Sequence, residues 1–142
     1  MLAARMAAHV IVDAVRRKRA DLADLWRYNV EYQRGRGSVL AYLDAMRCAM
    51  QSLSEGDIDF LFRQDLLSQD QLRRSWSLQT SSFTKTDRVF SLMKGLSRPR
   101  VLLAMDKAVK KAERVLALYR AYPKTYDPQE FAKWKSEVSA NF

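Results

Sequence analysis

Few residues in this sequence could do chemistry, and they stand apart. His9 and Asp13 are four residues apart, which puts both on one side of a helix. Such a pair can orient a general base or a metal ligand. Here it has no companions, because the 142-residue chain holds one histidine and one cysteine. That count excludes a Cys/His zinc set and an internal disulfide. The pair therefore reads as a surface or interface contact. Cys48 lies in an otherwise apolar stretch and reads as a small core residue. Asp57 and Asp59 are near neighbours, but Ser54-Glu55-Gly56-Asp57 has the form of a helix cap, and capping accounts for them. Arg34-Gly35-Arg36-Gly37 is rich in glycine, yet it lacks the preceding strand and the spacing of a phosphate loop. Trp26, Tyr28, Tyr32 and Tyr42 are interleaved with Arg27, Arg34 and Arg36. That mixture suits a nucleic-acid surface, or a packed face whose arginines snorkel to water. Tyr32 falls in an apolar stripe, which favours packing. No catalytic set emerges.

The elements that carry these residues are helical. Gly is 4 and Pro is 3, hydrophobic residues are 48% and charged residues 29%. Few breakers over this length predict long helices. The fold expected is all-α: one domain, residues 1–142, in a bundle of six or seven helices with two long antiparallel partners. The first partner is Asp21–Leu53, where Leu22, Leu25, Asn29, Tyr32, Arg36, Val39, Leu43, Met46, Met50 and Leu53 recur every three or four residues. Its two mid-helix glycines cost about 2 kcal/mol of propensity, so the helix bends there or tertiary packing requires the missing side chains. The second partner is Pro99–Tyr122, with proline in its first turn. Short helices are expected after Ser54, after Ser68-Gln69-Asp70-Gln71 and over Asp87–Leu96, with a loop at Gln79–Thr86. Asp127-Pro128-Gln129-Glu130 starts the last helix with cap, proline and acid in order.

The net charge of +9 permits anionic partners, but acids separate most of the basic clusters. That scatter fits a solvated surface, and no nucleic-acid partner is expected. The lone cysteine fits an intracellular chain. The basic cluster Arg16-Arg17-Lys18-Arg19 follows the apolar stretch, the reverse of a signal peptide. The segment Met1–Val15 is itself odd. Leu2, Met6, Val10 and Ala14 form one row and Ala3, Ala7, Ile11 and Val15 another, and the helix begins with no cap.

Met1-Leu2-Ala3-Ala4-Arg5-Met6-Ala7-Ala8, then Leu25-Trp26-Arg27-Tyr28-Asn29-Val30-Glu31-Tyr32, then Met50-Gln51-Ser52-Leu53-Ser54-Glu55 succeed one another in a telling order. Leu118-Tyr119-Arg120-Ala121-Tyr122-Pro123, with Phe131 and Trp134, closes the series. Together they resemble the C-terminal third of the geranylgeranyl reductase family of FAD-dependent oxidoreductases, its archaeal members above all. Order and spacing carry the likeness across nearly the whole chain.

The resemblance implies a helical part of a reductase of isoprenoid double bonds in membrane-lipid biosynthesis, not catalytic alone. FAD is the cofactor of the full-length family; the FAD-binding domain is absent here, and none is expected to be held by this chain alone. Met1 and Leu2 would sit at the edge of the family's FAD segment, which would explain the missing cap. The expected partners are a separate FAD-binding domain, a second copy through Met1–Val15, and an anionic membrane surface. The expected location is cytoplasmic, peripheral to the membrane. The alternatives are a stand-alone basic interaction module and, less favoured, a nucleic-acid-binding helical protein.

Overall fold

The computed structural model describes residues 2–19, 21–64, 66, 67, 73 and 97–142. Among them there are helices and no strand. The order is α1 (Leu2–Arg16), α2 (Leu22–Tyr32), a π-helical turn (Gln33–Gly37), α3 (Ser38–Gln51), α4 (Glu55–Arg63), α5 (Pro99–Arg120) and α6 (Pro128–Ala140). α2, the π turn and α3 run as one helix of 30 residues, so the described residues hold five helices. The short helices expected from Ser68 and over Asp87–Leu96, and the loop at Gln79–Thr86, fall outside the described residues. The antiparallel pairing of the two long helices stays an expectation.

The helix starts follow from the caps. Asp21 accepts a hydrogen bond from the Asp24 N–H at 2.8 Å, Ser54 from the Asp57 N–H at 3.2 Å, and Asp127 from the Gln129 and Glu130 N–H groups. Each satisfies donors that a first turn leaves free. α1 ends in a Schellman turn: the Arg19 N–H reaches the Ala14 carbonyl and the Lys18 N–H that of Val15, each at 3.0 Å. Glycine is usual at the left-handed position of this turn, but here it is Lys18, at φ 53°.

The chain packs as two compact units, residues 1–38 with 115–142, and residues 39–114. In the first, α1 packs on α2, and Val10, Ala14, Trp26, Ser38, Val115, Tyr122 and Val138 are buried. In the second, Ala41, Tyr42, Ala45, Leu61, Val101, Ala108, Val109 and Ala112 are buried.

Two readings of the sequence need correction. The stripe through Val39, Leu43 and Met46 is only partly covered; Ser38, Tyr42 and Ala45, one residue earlier, are buried instead. The stripe misses the covered side before the π turn as well: Leu22 is exposed, while Trp26, one residue after Leu25, is buried. Cys48 is exposed, not core. It lies about 70° around the helix from the centre of that buried face, near the end of α3.

Candidate functional site

The first unit holds the most constructed feature of the protein, a clasp around Trp26. Its position on α2 points the indole at the segment after α5. Trp26 stacks on Tyr122 at 5.3 Å between ring centres and meets Tyr126 and Phe131 edge-on at 5.1 and 5.5 Å. Trp134 stacks on Phe131 at 5.8 Å and meets Tyr122 and Tyr119 edge-on at 4.8 and 5.3 Å. Offset and edge-on pairs are the favoured ring geometries, each adding about 0.5–1.5 kcal/mol to area burial. Both indoles also find partners. The Trp26 Nε1–H donates to the Pro123 carbonyl at 3.0 Å, and the Trp134 Nε1–H to the Leu118 carbonyl at 2.9 Å.

The π turn supplies the second half of the clasp. Arg34 donates from Nε to the Tyr122 carbonyl at 2.9 Å, and from Nη2 to the same oxygen. A charged donor fork on one carbonyl is stronger than a neutral bond. Ser38, 1% exposed, donates its hydroxyl toward the Arg34 and Gly35 carbonyls at 3.0 and 2.7 Å, inside the turn. Gly37 is buried, and a Cβ there would lie 2.5 Å from Gln33 Oε1 and 3.2 Å from the Tyr32 carbonyl. The crowding at Gly37 comes from its own helix, four and five residues back, and not from tertiary packing. The burial of Tyr122 raises its phenol above the ordinary value.

Between α1 and α2 lies a shallow crevice lined by Val10, Asp13, Ala14, Arg17, Asp24 and Arg27. Arg27 bridges it, reaching Asp13 at 3.2 Å and Glu31 at 2.6 Å. His9 is exposed, and it is Arg27 that Asp13 meets. Asp24 Oδ2 is buried without a hydrogen bond, with Arg19 Nε 3.6 Å away. Exposed pairs of this kind contribute little to stability, so they orient more than they stabilise.

In the second unit, Arg98 joins α4 to the start of α5. It donates to Asp57 Oδ1 and to the Gly56 carbonyl, each at 2.8 Å, and its guanidinium lies 5.5 Å from the Phe60 ring centre. The Ser54 hydroxyl donates to Asp57 Oδ2 at 2.7 Å. That bond first, then Arg98, holds the Asp57 carboxyl below its ordinary value, against an opposing desolvation. Tyr42 is raised by burial, then by the charge of Glu113.

The candidate cofactor edge, Met1 and Leu2, is only partly in view. Met1 lies outside the described residues, and Leu2 opens α1. The aromatic residues split between roles: Trp26 and Tyr42 are buried, while Tyr28 stacks on Tyr32 at 5.9 Å. Packing thus accounts for that group. Among the described residues no three His, Cys, Asp or Glu side chains could hold a metal ion, and no helix is long and apolar enough to cross a membrane. The arrangement holds segments together.

The chain is 25% identical over 138 residues to the digeranylgeranylglycerophospholipid reductase of Sulfolobus acidocaldarius. The aligned stretch is 97% of this chain and 30% of that reductase. The chain has a weak, partial relationship to such reductases. It spans less than a third of the length of that relative. No protein-family profile matches the chain, and no solved structure matches it. The aligned run takes in both sides of the clasp: with 138 of 142 residues aligned, at most four residues lie outside its ends.

Proposed function

We propose that this chain is the C-terminal helical part of a geranylgeranyl-reductase-like, FAD-dependent oxidoreductase. Such an enzyme reduces isoprenoid double bonds in membrane-lipid biosynthesis. The observation that carries the reading is the single alignment running over 97% of the chain to a reductase of that kind. Short motifs recur by chance; a match in order across a whole domain is harder to explain that way.

In this reading flavin does the hydride chemistry, and protein supplies position and electrostatics. The flavin is bound by a partner part outside this chain, with Met1 and Leu2 at the edge of the FAD segment. This chain is not catalytic alone. Its contribution is a rigid mount, for which the Trp26 clasp and the Arg34 fork are suited: the rings and indole bond of Trp26 tie the segment after α5 to α2, and the Arg34 hydrogen bonds tie it to the π turn.

The test replaces the aligned stretch of the Sulfolobus acidocaldarius reductase with this chain. The expected chimera keeps bound flavin through gel filtration and reduces a geranylgeranyl lipid, while the 142-residue chain alone emerges colourless. A folded, flavin-loaded chimera with no reductase activity would overturn the assignment. A yellow isolated chain with stoichiometric flavin would overturn the division of labour, since a pyrophosphate site needs a glycine-rich strand–helix turn.

A further inference from the structure

α5 buries one side and gives the other to charge. Val101, Ala108, Val109 and Ala112 are buried. On the side away from them Arg100, Lys107 and Arg114 are exposed and stand seven residues apart. Seven residues are nearly two full turns, so the three form one line, about 10.5 Å between successive members. The whole line lies in the second unit, residues 39–114. Among the described residues none of the three has an ion-pair partner. Leu103, 57% exposed, sits on the same side between Arg100 and Lys107.

Read in order, the charges of α5 look mixed, because Asp106 and Glu113 each precede one of these cations by a single residue. One residue is about 100° of rotation, which takes both acids off the line. Asp106 meets Lys110 instead, at 2.6 Å, and the charge of Glu113 acts on Tyr42. The helix thus sorts an alternating sequence into a line of one sign.

Spacing and charge together name the occupant. Residues seven apart on a helix form the seam that a second helix meets, and Leu103 takes the apolar place within it. A partner helix repeats at the same two-turn interval, so acids seven apart on it fall opposite Arg100, Lys107 and Arg114 in turn. A second copy pairing through the same line fails on sign, and the chain as a whole carries +9. A nucleic-acid backbone answers the cations but leaves Leu103 in water. An apolar face of a larger protein strands the three charges, and permanent interfaces are more apolar and poor in lysine. A charged line around one leucine has the make-up of a small, reversible contact. We propose that the outer line of α5 docks an acidic helix of a separate protein. This goes beyond the reductase reading and does not rest on it, since it is measured on the chain alone.

The test is fluorescence anisotropy of a labelled, alanine-rich helical peptide titrated with the 142-residue chain. The peptide carries glutamates two turns apart on one face with a leucine between them. Binding is expected at low salt and should weaken as salt rises. A peptide of the same composition, its glutamates spread round the helix, should bind about tenfold more weakly. Lys107→Glu should weaken binding of the first peptide by about tenfold or more, and Leu103→Ala by about threefold. These positions are exposed, so circular dichroism should not change. A chain with Arg100→Glu, Lys107→Glu and Arg114→Glu together should lose the glutamate peptide and bind one with lysines in their place. An unfolded chain could not make that exchange. Any of these results would overturn the proposal: no binding at low salt, equal binding of the two glutamate peptides, binding that Lys107→Glu leaves unchanged, no gain of the lysine peptide by the triple variant, or duplex DNA that displaces the peptide at matched charge.

Discussion

The two glycines of the π turn should respond in opposite directions to the same substitution. Gly35 is exposed, and a Cβ built there meets nothing within 4 Å. Alanine at a free helical position is more stable than glycine by about 0.5–1 kcal/mol, because it has less backbone entropy to lose. Gly35→Ala should collect that gain. Gly37 is buried, and the same Cβ falls 2.5 Å from Gln33 Oε1 and 3.2 Å from the Tyr32 carbonyl. The Gln33 amide can swing away, but the Tyr32 carbonyl is backbone and must shift by a few tenths of an ångström. Overpacking costs about 1–3 kcal/mol, which outweighs the propensity gain. Gly37→Ala should thus destabilise by about 1 kcal/mol, leaving the two variants about 2 kcal/mol apart. Urea midpoints at constant slope measure both. If Gly37→Ala stabilises as much as Gly35→Ala, the turn is not closely packed at Gly37 and the reasoning fails.

Three further outcomes rest on the same kinds of contact. Trp26→Phe removes the donor to the Pro123 carbonyl and part of the ring cluster, and should cost about 1–3 kcal/mol in the same urea assay. Lys18→Gly relieves a non-glycine residue at φ 53° and should stabilise by about 1 kcal/mol, seen as a raised melting point. Asp57 titrates below its ordinary value of 3.8, so its contribution is present above that pH and is lost as pH falls through the lower folded value. Asp57→Asn should remove that part of the acid-induced loss of stability, which a pH series of thermal melts below about pH 4 would show.

Local chemistry was legible in the sequence. Ser54 and Asp127 cap where side-chain oxygens precede free N–H groups, Pro99 and Pro128 open helices where no N–H is needed, and the scarcity of glycine and proline pointed to an all-helical chain. Each depends on residues within four positions of one another. The stripe of the long helix was misread because spacing shows that one side of a helix is apolar, not which side its neighbours cover: Leu22 faces water, while Trp26 and Tyr42 are buried. Cys48 was misplaced because neighbours in sequence point all round a helix, so an apolar stretch does not fix which side is covered. The Arg34 fork on the Tyr122 carbonyl joins positions 88 apart, and the Trp26 bond to Pro123 joins positions 97 apart. No sequence spacing encodes such a meeting; only the packed chain brings the carbonyl to the guanidinium. The same holds for α1. Its residues made it apolar almost all round, but only packing on α2 decided that Val10 and Ala14 are buried while Ile11, Val12 and Val15 face water. A helix can turn only one side to its neighbour, and the neighbour is chosen by the tertiary structure.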